Sequence, residues 1–350
     1  MRVVVLGASG NVGTSVLSAL QAEPKVSEVI GIARRRPDLA YSKVRWEVAD
    51  IAESDLVSHF RGADAVVHCA WLIQPSRDES LLERVNIHGT ERVLAAVKEA
   101  GVKTLVYASS VGAYSKGPKQ PAVKESWPTG GIPEHYYCRQ KAEVEGMLDG
   151  FETAVPGVRV VRMRMAFVFK REAATGIRRL FMGPLFPTPL LRAGLIRVVP
   201  NIKGLAFQAV HSLDAGEAYR LAIVSDARGA FNIAAEPLLT MKSIADLLGA
   251  WSVPMPEWMA LRAMKAAWIT HLIPSPATWL KAGLELPIMD VERARRELGW
   301  RPLRTAMEAV ADLIDGLKHS DGLETPPLDP ATSGPMRMRE LLTGVGSTDR

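Results

Sequence analysis

The sequence predicts an α/β protein whose first half is a doubly wound parallel sheet with helices on both faces, followed by a smaller, mainly helical C-terminal unit. Three observations carry that prediction. Short apolar runs at residues 3–6, 29–33, 65–69, 105–108 and 158–163 alternate with segments of helical periodicity, the βα repeat of strands covered on both faces. A glycine-rich turn follows the first run directly. The regular pattern dissolves at residues 175–203 into Pro, Gly, Leu and Arg and returns near Ala206, which reads as a loop-rich excursion away from the sheet.

Composition fits this class. With 47% hydrophobic and 23% charged residues in a chain of 350, there is enough apolar material for a sizeable core and a second small domain. The formal charge of +5 is modest, and no basic run interleaved with aromatics suits a nucleic-acid groove. Cys69 and Cys138 are the two cysteines, too few for a disulfide framework, and no His or Cys spacing offers a metal its ligands. A reducing cytoplasm is the expected compartment. The run at residues 3–6 is broken by Gly7, unlike a signal peptide core, and no apolar stretch approaches the ~20 residues of a transmembrane helix.

The elements place the dinucleotide-type domain at residues 1–166, rejoined by about 206–235, where 229–233 reads as a further strand. Residues 167–205 and 236–317 form the expected substrate-binding lid region. Within it, Thr240 caps a helix reaching Leu248, and Trp258, Leu261, Met264, Trp268 and Leu272 fall at helical spacing, with Arg262 and Lys265 on the other face. Such a stripe suits a small core or a substrate surface. Residues 318–350 turn polar and Pro-rich and read as a mobile tail.

Gly7, Gly10 and Gly13 in GxxGxxG spacing stand between a strand and a helix start, the Rossmann arrangement in which a tight turn brings backbone amides to a pyrophosphate. Ser9, Asn11 and Val12 complete the expected contact. After the second strand, where an acid usually binds the adenine ribose, the chain reads Ala33, Arg34, Arg35, Arg36. Arg34 and Arg35 offer forked cations to a 2′-phosphate, so NADP is favoured over NAD; a solvated turn is the plainer alternative. Asp50 and Ile51 after the third strand are placed to meet the adenine, unless Asp50 caps a helix beginning near Ala52. Cys69 and Ala70 end the fourth strand and Ala166 follows the sixth, all at the edge where such sheets bind ligands.

Tyr137 and Lys141 lie four apart in YCRQK, on one face of a predicted helix. A nearby ammonium favours phenolate and makes the phenol a usable acid or base. Ser109 and Ser110 precede the pair at a strand end.

Together with VVVLGASGNVG, VVHCA, NIHGT, ASSVGAY and ELGWRP, these residues make the chain resemble the extended short-chain dehydrogenase/reductase family, also called the NAD-dependent epimerase/dehydratase family, over roughly residues 1–317. The resemblance implies Ser110 as holder of the substrate oxygen, in preference to Ser109, because Ser110 has the family's spacing to Tyr114. It implies Tyr137 as acid/base and Lys141 as a catalytic residue that also grips the nicotinamide ribose. Asn86 matches a cofactor-proximal asparagine, although a structural amide is equally consistent. Trp71, Tyr114 and Phe167 are the expected substrate neighbours. The helices at 81–97 and 137–147 resemble those through which the family forms homodimers; an apolar stripe covering the sheet is the plainer reading. His68 and His211 are read as satisfied buried histidines, and both cysteines as packing residues.

Departures from the family pattern narrow the chemistry. Val111 and Gly112 stand where a dehydratase places its additional acid and base, and Phe167 stands in a stretch where sugar-nucleotide enzymes hold a diphosphate with an asparagine. The resulting expectation is an NADP-dependent carbonyl reductase or alcohol dehydrogenase acting on a fairly apolar small molecule. A sugar-nucleotide epimerase is the alternative, and a non-catalytic dinucleotide sensor has no use for Ser110, Tyr137 and Lys141 together. Arg159, Arg162, Arg164, Lys170, Arg171, Arg178, Arg179, Arg192, Arg197 and Lys203 accompany one acid, Glu172, a basic segment that suits either an anion or a solvated face.

Overall fold

The continuous apolar runs become strands of one parallel sheet in the structure, a computed structural model that describes residues 1–74, 79–182, 188–192 and 194–330. The chain enters through β1 (Arg2–Leu6), α1 (Asn11–Ala22), β2 (Glu28–Ala33), β3 (Val44–Val48), α2 (Leu56–Phe60) and β4 (Ala65–His68). It continues through α3 (Glu79–Glu83), a π-helical turn at Arg84–His88, α4 (Gly89–Glu99), β5 (Thr104–Tyr107), α5 (Tyr136–Ala154) and β6 (Arg159–Met165).

After β6 come the short pieces β7 (Phe167–Phe169), α6 (Ala174–Ile177), α7 (Thr188–Arg192), β8 (Val198–Ile202) and β9 (Ala206–His211). Then follow α8 (Ser212–Val224), β10 (Gly229–Ile233), β11 (Ala235–Thr240), α9 (Met241–Leu248), β12 (Trp251–Met255) and α10 (Glu257–Ile269). The described chain closes with α11 (Thr278–Glu285), α12 (Glu292–Glu297) and α13 (Ala306–His319).

The seven-stranded sheet runs β10-β6-β5-β4-β1-β2-β3, and every pairing in it is parallel. Strand order reverses beside β1, which creates the crevice where this architecture binds ligands. Alternation explains why the strands are apolar throughout. Val3 and Val5 pack with Leu17 of α1 and Ala218 of α8, whereas Val4 and Leu6 pack on the opposite face with Phe60, Val93 and Val144. The apolar stripes of α4 and α5 therefore cover the sheet.

Three sequence expectations change. The excursion at 175–203 contains α6, α7 and β8; residues 183–187 and 193 lie outside the described part. β9 does not rejoin the main sheet: it pairs with β7 and β11 in a three-stranded sheet, and the return is made by α8, which packs on α1, and by β10. Residues 319–330 also do not form the expected tail. Leu328 and Thr325 are buried, and Leu323 N donates to Leu328 O at 3.1 Å, so this segment folds back on itself. Residues 331–350 lie outside the described part.

Candidate active site

The glycine turn is built as a cradle. Gly7 has φ +72°, and a Cβ there would stand 2.6 Å from Ala70 N; one on Gly13 would stand 2.2 Å from Gly7 O. Neither position tolerates a side chain. Gly10 caps α1 with no side-chain hydrogen bond, leaving open amides and the positive helix end toward the crevice. Ser9 is buried, Val12 half-buried, and Asn11 Nδ2 donates to Val168 O at 2.9 Å, tying α1 to β7. Arg34 and Arg35 are exposed just beyond β2. These residues fit a dinucleotide.

Other cofactor expectations fare differently. Asp50 Oδ1 accepts from Ala52 N at 2.8 Å, and Asp50 N donates to Ser54 Oγ at 2.9 Å. That makes a turn rather than a helix, since α2 starts later under an Asp55 cap. Ile51 is a core residue, and its carbonyl accepts from Arg92 Nε. Asn86 is corrected to a structural amide: its Oδ1 accepts from Leu72 N, and its Nδ2 donates to Leu72 O and Gln140 Oε1. Both ends are consumed in fixing the loop after β4. Ala70 touches the Gly7 turn, and Ala166 is buried beyond β6. Burial pushes the thiols of Cys69 and Cys138 each up to about 12, the character of packing residues.

Ser110, Tyr137 and Lys141 come together at the end of β5. Ser110 Oγ accepts from Gly112 N at 3.0 Å, and the Tyr137 ring borders Gly112. Burial raises the Tyr137 phenol above the ordinary tyrosine range, and the nearby Ser110 hydroxyl opposes that rise. Lys141 Nζ donates to Ala108 O at 2.7 Å and to Tyr107 Oη at 3.1 Å, and it sits 3.4 Å from the centre of the Trp71 indole. Burial pushes the lysine well below its usual range, against the opposing pull of Cys69 and Glu145. Burial by itself thus favours the protonated phenol at Tyr137; the phenolate expectation also calls on the positive charge of an oxidised nicotinamide.

Trp71, an expected substrate neighbour, and Trp279, which sequence reading did not single out, pack around the phenol. Trp279 of α11 lies 5.6 Å from Tyr137 and 4.9 Å from Phe181, and Trp71 meets Tyr137 edge-on at 6.1 Å. His135 caps α5 through Nδ1, which accepts from Cys138 N, and its ring stands nearly perpendicular to Trp279 at 4.3 Å. From Val111, beside Ser110, a shallow open cleft extends between Phe167, Phe207, Leu286 and Met289. Lys119 lines it, with Nζ donating to Gly283 O and Leu286 O at 2.7 Å each, and burial pushes that lysine down to about 8.

Tyr114 is removed from the substrate neighbours. It is fully buried, and its hydroxyl donates to Asn232 Oδ1 at 2.6 Å and accepts from Arg164 Nη1 at 3.1 Å. Arg164 and Arg162 converge on Glu145, which also accepts from Ser109 Oγ at 2.5 Å. Ser109 is thereby committed to the interior.

Much of the basic segment is likewise spent inside the molecule. Arg159 donates to the carbonyls of Ala222, Ile223 and Ala227. Lys170 Nζ donates to Thr14 Oγ1 at 2.6 Å, and Arg171 pairs with Asp315 and Asp321. Arg178 and Arg192 also have polar partners, Thr188 and Ser320. A continuous anion-binding strip is therefore not formed among the described residues; Arg197 and Lys203 remain on the surface.

The buried histidines are expected to make the fold acid-sensitive. Burial lowers His68 to about 3 and His135 to about 4 from an ordinary 6.5, with Lys141 and Arg139 adding to the effect. His68 Nε2 bonds Thr90 Oγ1 at 3.0 Å, and His211 caps α8 and meets Asp312 at 3.2 Å. A depressed folded-state pKa supplies stability above the unfolded value and loses it as pH falls. Between pH 6.5 and 4, His135 alone is expected to cost about 3 kcal/mol. Thermal melts across that window check this: His135→Asn, which keeps a capping side chain, should show a shallower decline than the parent. Parallel declines would assign the acid sensitivity to other groups.

Residues 3–179 match the NAD dependent epimerase/dehydratase family. A Mycobacterium tuberculosis protein described as uncharacterized is 31% identical over 327 residues, covering 92% of this chain and 31% of that protein, so the chain spans less than a third of that relative's length. The human sterol-4-alpha-carboxylate 3-dehydrogenase, decarboxylating, is 25% identical over 340 residues, covering 91% of this chain and 88% of that protein. UDP-glucose 4-epimerase of Thermus thermophilus, solved with NAD, superposes with a TM-score of 0.67 at 22% identity, over 91% of this chain and 99% of that one. That likeness is one of fold.

Proposed function

Because the chain belongs to the NAD dependent epimerase/dehydratase family, we propose that it is an NADP-dependent oxidoreductase interconverting a carbonyl and an alcohol on a fairly apolar small molecule. The observation that carries this reading is the apolar cleft that begins at Val111, next in the chain to Ser110. Its walls are Val111, Phe167, Phe207, Leu286 and Met289, and its polar members Lys119 and Gln208 are already hydrogen-bonded to backbone. A diphosphate would find no free guanidinium from Arg162 or Arg164 there, since both are held by Glu145. The human relative's name gives a sterol derivative as what that protein acts on, which is consistent with an apolar substrate.

Gly7, Gly10, Gly13 and the start of α1 would hold the pyrophosphate, Arg34 and Arg35 the 2′-phosphate, and Lys141 the nicotinamide ribose. NADP, when bound, supplies the hydride for reduction. Tyr137 Oη donates its proton to the substrate oxygen, and Ser110 Oγ hydrogen-bonds that same oxygen while it gains charge. Trp71 and Trp279, the latter backed by Phe181, pack around the phenol and would limit the approach of water.

Two measurements test this reading. Fluorescence titration is expected to show NADPH bound at least about tenfold more tightly than NADH, with Arg34→Ala losing most of that preference. Equal affinities in the parent protein would remove the NADP assignment. In a screen of apolar ketones, acyl thioesters and sugar nucleotides, ketone reduction is the expected activity; conversion of sugar nucleotides without net cofactor change would establish an epimerase instead.

A further inference from the structure

Among the described residues, the segment from β8 to α10 carries an apolar face that the fold leaves exposed. β8 and β12 pair in parallel with Trp251 opposite Val198 and Val253 opposite Pro200. Residues opposite one another share a face, and all four are exposed, Trp251 at 79% and Val198 at 56%. A solvent-facing strand surface is ordinarily polar. β12 leads through Pro256 into α10, where Ala260, Leu261 and Met264 turn inward against Ile202 and Leu280. The opposite stripe is Trp258, Arg262, Lys265 and Ile269, all exposed, at the spacing of one helical face.

Charge identifies the occupant. Residues 194–203 and 250–272 contain Arg197, Lys203, Arg262 and Lys265 against one carboxylate, Glu257. Arg197, Lys203 and Lys265 are exposed and make no ion pair among the described residues, while the Arg262 guanidinium lies 5.2 Å from the Trp258 ring centre. Indoles and aliphatic side chains interspersed with cations are the composition of a face that lies in a lipid interface. A second copy would set like charges against each other. At 13 residues, α10 reaches only about 20 Å and is too short to span a bilayer.

We propose that the outer face of β8–β12 and the exposed face of α10 dock peripherally on an anionic lipid surface. This deepens the reductase reading, on which it rests only for the nature of the substrate: α10 leads directly to α11, whose Trp279 covers Tyr137 and whose Gly283 borders the cleft. Docking would place the cleft wall next to lipid-dissolved molecules.

The test is co-sedimentation of the full chain with phosphatidylcholine vesicles, with and without phosphatidylglycerol. Binding is expected only with the anionic lipid, weakening as salt rises. Arg262→Gln and Lys265→Gln are each expected to lower partitioning about fivefold, and Trp258→Ala also lowers it, with parental thermal melts showing that the variants remain folded. Equal partitioning into both vesicle types, or unchanged partitioning of the doubly neutralised variant, overturns the proposal. A dimer in sedimentation velocity that Trp258→Ala dissolves would assign the face to a second copy instead. No turnover is measured, so failure here leaves the reductase reading standing, and failure of the substrate screen leaves the docking result standing.

Discussion

Tyr137→Phe is expected to lower turnover by about 10²–10⁴-fold and to leave NADPH affinity within about twofold of the parent protein. The substitution keeps the ring that packs on Trp71, His135 and Trp279 and removes only the hydroxyl. Ser110 Oγ still accepts from Gly112 N, so the loop after β5 retains its anchor. What disappears, on the proposed mechanism, is the hydroxyl that would donate a proton to the substrate oxygen. Burial holds the phenol above its ordinary range, so its proton is present throughout neutral pH, and a fall in reduction rate from tyrosine ionisation is expected only above about pH 10. Steady-state kinetics beside a fluorescence titration separate the two effects. A variant that keeps a tenth or more of its turnover would show that another group moves the proton.

The parts of this site legible in the sequence are those fixed by local backbone rules. Gly7 and Gly13 announce a turn that a Cβ would fill, and Tyr137 and Lys141 share a helix face through spacing alone. A lid from residues 167–207 and 258–286 over Trp71, Ser110 and Tyr137 is legible as segments, but its particular contacts are not, because Trp279 reaches Tyr137 and Lys119 reaches Leu286 only through the packing of those segments on the sheet domain. Asn86 and Tyr114 stand at motif positions, yet both side chains are consumed by the interior. The basic segment carried a signal that could have been used. Arg159, Arg162 and Arg164 fall in a strand flanked by β5 and β10, where both faces are buried, and charges there require internal partners. Glu145 supplies that partner for two of them, but nothing in its local sequence marks it as buried.

Glu145→Leu is expected to destabilise the fold by about 3–5 kcal/mol, the cost of leaving buried guanidinium groups without their counter-charge. Glu145 is fully buried and accepts from Arg162 Nη1 at 3.0 Å, Arg164 Nε at 2.9 Å, Arg164 Nη2 at 2.8 Å and Ser109 Oγ. Arg162 keeps Asp149 and Glu152, whereas Arg164 retains only Tyr114 Oη and Glu125 O. Most of the loss therefore falls on Arg164. Burial acts to raise the Glu145 carboxyl, but Arg164, Ser109 and Arg162 more than offset it and hold it below the usual range. Its contribution is present above the unfolded carboxylate pKa and is lost as pH falls through the lower folded value. Removing both charges discriminates between an ion-pair effect and simple packing: Glu145→Leu with Arg164→Met should recover part of the loss, since no orphaned charge at Arg164 remains. Urea unfolding of the single and double variants reads this directly. If the double variant is as unstable as the sum of the two singles, the stability of this region comes from shape and not from the pairing of Glu145 with Arg164.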